Sequence, residues 1–255
     1  VQYVYGIHAV DSLLRRHPQS VQRLILQAGR DDKRIASLLE LARNQGVSVA
    51  REPRAALDKL VDGRHQGAVA ELGGDAASES GRTSNRWDEA DLLQAVEDKV
   101  GPMLLLVLDG VTDPHNLGAC LRSADAAGVD AVVVPRDNSA DLTPVVRKVA
   151  CGAAEVVPFV QVTNLSRALQ ALKARGVWLF GAEGEAENSL FDSDLTTSLA
   201  LVMGAEGTGM RRLTKEQCDY LVHLPMAGSV SSLNVSVATG IALFEARRQR
   251  AALAR

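Results

Sequence analysis

Apolar positions along this chain fall into two alternating rhythms: a helical one with a period near 3.6 residues, and short continuous runs that suit strands. Over residues 6–17, Ile7, Val10, Leu13 and Leu14 share one helical face. Residues 21–28 read as a strand. Residues 32–45 read as a second helix, capped by Asp32, with Ile35, Leu38, Leu39 and Ala42 as its apolar stripe and Gly46 just past its end. A strand at 47–50, a helix opened by Pro53 and running to about Leu60, and a strand at 67–72 complete a small α/β domain over residues 1–72.

The rhythm then stops. Residues 73–86, GGDAASESGRTSNR, carry no apolar periodicity and read as flexible linker. The linker is expected to extend over 73–99, with a short helix near 87–98 leading out of it. From residue 100 to 255 the alternation resumes. Continuous apolar runs at 103–108, 131–134, 177–181, 199–203 and 220–224 suit strands of a parallel sheet covered on both faces. Helices are expected near 117–127, 144–151 and 164–175. Capping-box spacing between Thr214 and Gln217 predicts another, and a last helix over about 234–252 ends in a basic tail.

Composition adds limits. The chain is 46% hydrophobic and 23% charged, enough apolar material for a sizeable core in one or two domains. No apolar run reaches the roughly 18 residues a membrane helix needs, and the first residues lack a secretory pattern, so a cytoplasmic location without a membrane partner is expected. Cys120, Cys151 and Cys218 are odd in number and widely spaced, which disfavours a disulfide framework or a metal cage. Net charge is −3, but residues 1–72 hold 11 Lys and Arg against 8 Asp and Glu. That mild basic excess is a weak pointer to a polyanion, and equally a chance property of a solvated surface.

Three segments carry candidate chemistry. DGVTDPHNLGACLRSADAAG (109–128) follows a buried strand, where ligands of open α/β sheets bind. Asn116 stands at a helix start there, and Arg122 is a candidate for gripping phosphate or carboxylate. Read alone, Asn116 is as easily a helix cap and Arg122 a surface residue. LALVMGAEGTGM (199–210) runs a strand into a Gly-rich loop with one acid, Glu206, and glycines such as Gly204 that let backbone approach a ligand. LPMAGSVSSLNVSVATG (224–240) opens the last helix with Ser229, Ser231, Ser232, Asn234 and Ser236, which suits an anion or simply a heavily capped helix.

Together these segments resemble the three motifs of the SpoU (TrmH-like) group of SPOUT RNA methyltransferases. Tyr5 to Val10 and His65-Gln66-Gly67 resemble the substrate-binding domain that precedes the catalytic one in that group. DGVTDPHNLGACLRSADAAG, KVACGAAE (148–155) and PMAGSVSSLNVSVATGI are similar to the branch that modifies a guanosine of 23S ribosomal RNA in the peptidyl-transferase P-loop. The resemblance implies an N-terminal RNA-binding α/β domain, a parallel-sheet α/β catalytic domain with a deep C-terminal trefoil knot, and a homodimer. It implies S-adenosyl-L-methionine as cofactor, without a metal, held by Gly204, Leu224, Met226 and Leu233. It implies that Arg122 activates the ribose 2′-hydroxyl with Asn116, Glu206, Ser232 and Asn234 around it, Arg122 acting either as a base or as a cation stabilising alkoxide. Competing readings are a non-catalytic RNA-binding ribosome-assembly factor, a 2′-O-methyltransferase acting on tRNA, a metal-dependent hydrolase using Asp113, His115 and Cys120, and a dinucleotide enzyme, which lacks its G-x-G-x-x-G.

Overall fold

The structure is a computed structural model and describes residues 3–16, 18–61, 65–73 and 85–253. It divides into two compact units, Val1–Asn85 and Arg86–Arg255.

The first unit runs β1 (Tyr3–Tyr5), α1 (Ile7–Arg16), β2 (Val21–Gln27), α2 (Lys33–Asn44), β3 (Ser48–Glu52), α3 (Arg54–Leu60) and β4 (Ala68–Leu72). Its sheet has the order β1-β4-β2-β3, with β2 and β3 parallel and the other pairs antiparallel. Ile7, Val10 and Leu14 of α1 and Ile35, Leu38 and Ala42 of α2 are buried against Leu24, Leu26, Ala68 and Ala70, so the helical stripes read from the sequence are the core. Asp32 caps α2 by accepting from the Arg34 and Ile35 amides, and Gly46 follows with φ 70°. The His65-Gln66-Gly67 run has a framework task. Gln66 and Gly67 turn left-handed at φ 51° and 76°. The Gly67 amide donates to His65 Nδ1 at 3.0 Å, which leaves Nε2 to donate to Asp58 Oδ1 at 2.9 Å. Gln66 Oε1 accepts from the first amide of α1.

The second unit runs β5 (Arg86–Trp87), α4 (Glu89–Asp98), β6 (Leu104–Asp109), α5 (Pro114–Ala127), β7 (Ala131–Pro135), α6 (Pro144–Ala150), β8 (Phe159–Val162), α7 (Leu165–Lys173), β9 (Trp178–Ala182), β10 (Asn188–Ser189), β11 (Leu199–Gly204), α8 (Arg212–Gln217), β12 (Tyr220–His223) and α9 (Val235–Leu253). Residues 86–98, expected within the linker, belong to this unit. Arg86–Trp87 pairs with β8, and α4 is held by a capping box between Asp88 and Asp91. The helix expected from Thr214 begins instead at Arg212. Thr214 lies inside it and is buried, so the capping-box spacing was accidental. Strand β8 escaped the sequence reading because four residues after a proline carry too short a pattern.

The sheet order is β10-β12-β9-β11-β6-β7-β8-β5, and every described pairing is parallel. Alternate residues of the continuous apolar runs face opposite layers. Leu104, Leu106, Leu108, Leu199, Leu201 and Met203 pack with α5, α6 and α9. Leu105, Val107, Ala200 and Val202 pack with α4 and α7 on the other side. This double burial explains why these strands show no polar alternation.

The basic tail of α9 acts as an anchor. Arg250 donates to the carbonyls of Thr197 at 2.6 Å, Met103 at 2.9 Å, Leu195 at 3.1 Å and Pro102 at 3.3 Å. One guanidinium thus ties the last helix to the starts of β6 and β11. From β6 the chain winds outward through β7 and β8, then crosses to the far side for β9 and returns to lay β11 directly against β6. The direction of winding reverses between β6 and β11. A crevice opens at the carboxyl ends of strands where the order reverses in this way.

Candidate active site

β6 and β11 run in register, Gly204 opposite Asp109. Each then gives way to one of the segments singled out above. After β6 the chain turns at Gly110, φ 83°, and enters α5. Asp113 caps that helix by accepting from the His115 amide, and Pro114 occupies its first turn, where no amide hydrogen is needed. Asn116 is therefore free of capping duty. It is 8% exposed and its Oδ1 accepts from Asn234 Nδ2 at 2.9 Å.

Asn234 is itself the cap of α9. Its Oδ1 accepts from the Ser236 amide at 2.9 Å and the Ser236 hydroxyl at 2.6 Å. Its Nδ2 also donates to Glu206 Oε1, which takes a further bond from the Val235 amide at 3.3 Å. Asn116, Asn234 and Glu206, 118 and 28 residues apart in sequence pairwise through Asn234, form one hydrogen-bonded line.

The loop that carries Glu206 is built from glycine for steric reasons. Ala205 and Gly209 exchange two backbone hydrogen bonds of 3.1 and 2.9 Å, and Gly207 and Gly209 are left-handed at φ 79° and 67°. A Cβ on Gly204 would stand 2.2 Å from the Gly209 carbonyl carbon and 2.3 Å from the Met210 nitrogen, so only glycine lets the loop fold back on its strand.

Glu206 and Asn234 border a cavity of about 740 Å³, a size that suits a nucleoside-sized ligand. Asn116, behind them, does not line it. Gly204, Glu206, Leu224, Met226, Ser232, Leu233 and Asn234 all line it, so the structure gathers the four expected cofactor residues and three of the expected catalytic ones around one space. Glu183, Glu185 and His223 also belong to the wall, and His223 Nδ1 is buried there with no hydrogen-bond partner among the described residues. The lining combines apolar side chains, open backbone and carboxylates. It therefore fits a ligand with an apolar chain, hydrogen-bonding edges and a net positive charge.

Arg122 stands apart. Among the described residues it does not line the cavity, and its Nη1 donates to Cys151 Sγ at 3.6 Å. The three residues of the hydrolase reading do not converge either. Asp113 is a cap, His115 is exposed beside it, and Cys120 is fully buried with its thiol pushed up to about 11 by burial. Among the described residues no group of three or more His, Cys, Asp or Glu is placed to hold a metal ion, and no helix is long and apolar enough to cross a membrane.

Sequence reasoning missed Asp109. The carboxylate is 1% exposed and accepts from the Arg211 amide at 2.8 Å and Arg211 Nε at 2.6 Å, which pins the end of the glycine loop to the end of β6. An acid closing a fully apolar run was the available signal.

A parallel α/β unit with its cavity at the carboxyl ends of β9, β11 and β12, bordered by a glycine loop and a capped last helix, defines a cofactor-binding enzyme of the doubly wound kind. The chain belongs to the SpoU rRNA Methylase family, which it matches over residues 103–244, and residues 3–74 match the family of RNA 2′-O ribose methyltransferase substrate-binding domains. It is 57% identical over 252 residues to the 23S rRNA (guanosine-2′-O-)-methyltransferase RlmB of Pseudomonas syringae pv. tomato, across 99% of this chain and 97% of that protein. It is 53% identical over 250 residues to the enzyme of the same name from Escherichia coli K12, across 98% and 99% of the two chains. Its fold matches the crystal structure of the SpoU methyltransferase AviRb from Streptomyces viridochromogenes in complex with AdoMet, with a TM-score of 0.65, 26% identity, and coverage of 98% and 90%.

Proposed function

We propose that this chain transfers a methyl group from S-adenosylmethionine to the 2′-hydroxyl of a guanosine in 23S ribosomal RNA, within the peptidyl-transferase P-loop. The observation that carries the reading is the pair Asn234 and Glu206 on the wall of the 740 Å³ cavity, with Asn116 bonded to Asn234 behind it. The names of the relatives identical at 57% and 53% over nearly the whole chain support the base and the RNA, and the AdoMet complex of a structural neighbour supports the cofactor.

Bound S-adenosylmethionine supplies an activated methyl group on a sulfonium, so the protein's work is positioning and charge. Leu224, Met226 and Leu233 offer apolar contact to it, Gly204 offers open backbone, and the acidic wall complements its cationic charge. Asn116 orients the ribose. Asn234 and Glu206 fix Asn116, and Ser232 shapes the turn before α9. Arg122 faces the RNA and stabilises the forming alkoxide as a cation, the hydroxyl proton passing to solvent water, since a guanidinium with a pKa above about 12 is a poor base.

The separation of Arg122 from the cavity supports a homodimer in which a second copy completes the site. Val237, Ile241 and Phe244, 50%, 37% and 50% exposed, make an apolar stripe on α9 at helical spacing that supports the same assembly. The match to the SpoU rRNA Methylase family and to the fold of its solved members supports the knotted path of the C-terminal segment that the resemblance implies.

The test is the Arg122→Ala variant. It is expected to bind S-adenosylmethionine as the parent does and to lose methylation of large-subunit RNA. Near-parental turnover would remove Arg122 from the mechanism. Arg122→Lys is expected to keep part of the rate, because the cation is retained.

A further inference from the structure

Cys151 ends α6 in a conformation that a cysteine seldom adopts. Its φ of 53° and ψ of 38° are left-handed, and Gly152 follows at φ 98°. Glycine is the usual occupant of such a helix-end position, because any Cβ there crowds the backbone. The conformation nonetheless has a product: it turns the thiol toward α5. There the sulfur accepts from Arg122 Nη1 at 3.6 Å, while the S–H donates to the Lys148 carbonyl at 3.8 Å. The thiol proton is thus committed to the helix end, and the sulfur lone pairs are presented to the guanidinium.

The surrounding packing fixes the two backbones that carry this pair. α5 and α6 approach so closely at Gly118 that a Cβ there would lie 2.7 Å from Val149 Cβ. Arg147 and Glu155 form an ion pair across the turn that contains Cys151. A carboxylate in the place of the sulfur would also orient Arg122, but it would neutralise the charge that stabilises an alkoxide. A thiol is a weak, neutral acceptor. It fixes direction and leaves the charge in place.

We infer that Cys151 is a positioning residue for Arg122, holding the guanidinium through its sulfur at the junction of α5 and α6. The inference rests on the role of Arg122 proposed above.

Cys151→Ser, Cys151→Ala and Cys151→Gly in the full chain test it, with Arg122→Ala measured alongside. The readouts are single-turnover methylation of 23S RNA, S-adenosylmethionine affinity and melting temperature. Serine keeps a donor and an acceptor, and the rate is expected to stay within about threefold of the parent. Alanine and glycine are expected to slow methylation about tenfold or more, because misplacement of a charge-stabilising group acts on the rate. Affinity for S-adenosylmethionine is expected to stay within about twofold in all three. Glycine separates position from architecture: it relieves the left-handed strain, so Cys151→Gly is expected to melt at or above the parent's temperature while remaining slow. A parental rate in Cys151→Gly overturns the inference and leaves Cys151 as a helix end. A serine variant as slow as the alanine variant overturns it too. A parental rate in Arg122→Ala would remove the underlying reading instead, whatever the cysteine variants do.

Discussion

Asn234 uses its whole side-chain amide. Two N–H bonds go to Asn116 and Glu206, and the oxygen takes the amide and the hydroxyl of Ser236. Capping and site-building are therefore separable by substitution. Asn234→Asp keeps the oxygen that caps α9 but cannot donate, and it sets a carboxylate against Glu206. The cap, worth about 1 kcal/mol, survives in this variant, so the loss of stability expected is that of two carboxylates meeting and not that of an uncapped helix. Its methylation rate is expected to fall on the order of a hundredfold. Paired thermal melts and single-turnover assays check this, and a fast Asn234→Asp enzyme would reduce the residue to a cap. The three thiols differ as sharply. Burial pushes Cys120 up to about 11, and burial with the charges of Asp219 and Asp109 pushes Cys218 up to about 12. Alkylation of the folded protein at pH 8 is expected to label Cys151 alone, read by mass spectrometry of the digested adduct. The small polar residues of the site were legible in the sequence, because each sits where a buried strand ends or a helix begins. What was not legible is which of two roles each plays. Asn116 looked like a cap, and only the fold gives that task to Asp113 and frees Asn116 for Asn234. Asp109 passed unnoticed because its partner Arg211 is 102 residues away.

At the scale of elements, strands buried on both faces announced themselves through continuous apolar runs, and the first unit's helices through their stripes. Short edge pieces did not. β5 and β10 have two residues each and are defined by the neighbour they pair with, which no local pattern encodes. The linker reading ran past Arg86 for the same reason. The glycine loop and the last helix each support an expectation. Gly204→Ala places a methyl against the Gly209–Met210 backbone and cannot be relieved by a rotamer change. It is expected to lose S-adenosylmethionine binding, measured by calorimetry, while far-ultraviolet circular dichroism stays close to that of the parent. Arg250→Ala leaves four carbonyls without their shared donor. It is expected to cost about 2–3 kcal/mol in chemical denaturation, since hydrogen bonds to a charged group are among the stronger ones.

At the scale of the whole molecule, the sheet order creates the site. β11 returns to lie against β6 after the chain has wound away from it; residues from 199–210 and 224–240 line one cavity, and Asn116 of 109–128 is bonded behind them to Asn234. A sequence shows three separate loops; the fold joins two of them in one wall and ties the third to it through Asn116. The homodimer proposed above gives α9 a second task. Phe244→Glu is expected to shift the protein toward monomer in analytical ultracentrifugation and to lower the methylation rate in proportion to the dimer lost. A fully active monomer would place Arg122's partner groups within one chain.

The most direct measurement is transfer of label from radioactive S-adenosylmethionine to 23S ribosomal RNA or large-subunit particles that lack the modification, followed by mapping of the labelled nucleotide. The account predicts one 2′-O-methylguanosine per RNA, within the peptidyl-transferase P-loop, formed by the parent chain and not by Arg122→Ala. No transfer to any large-subunit substrate, or label on a base in place of a ribose, would contradict it.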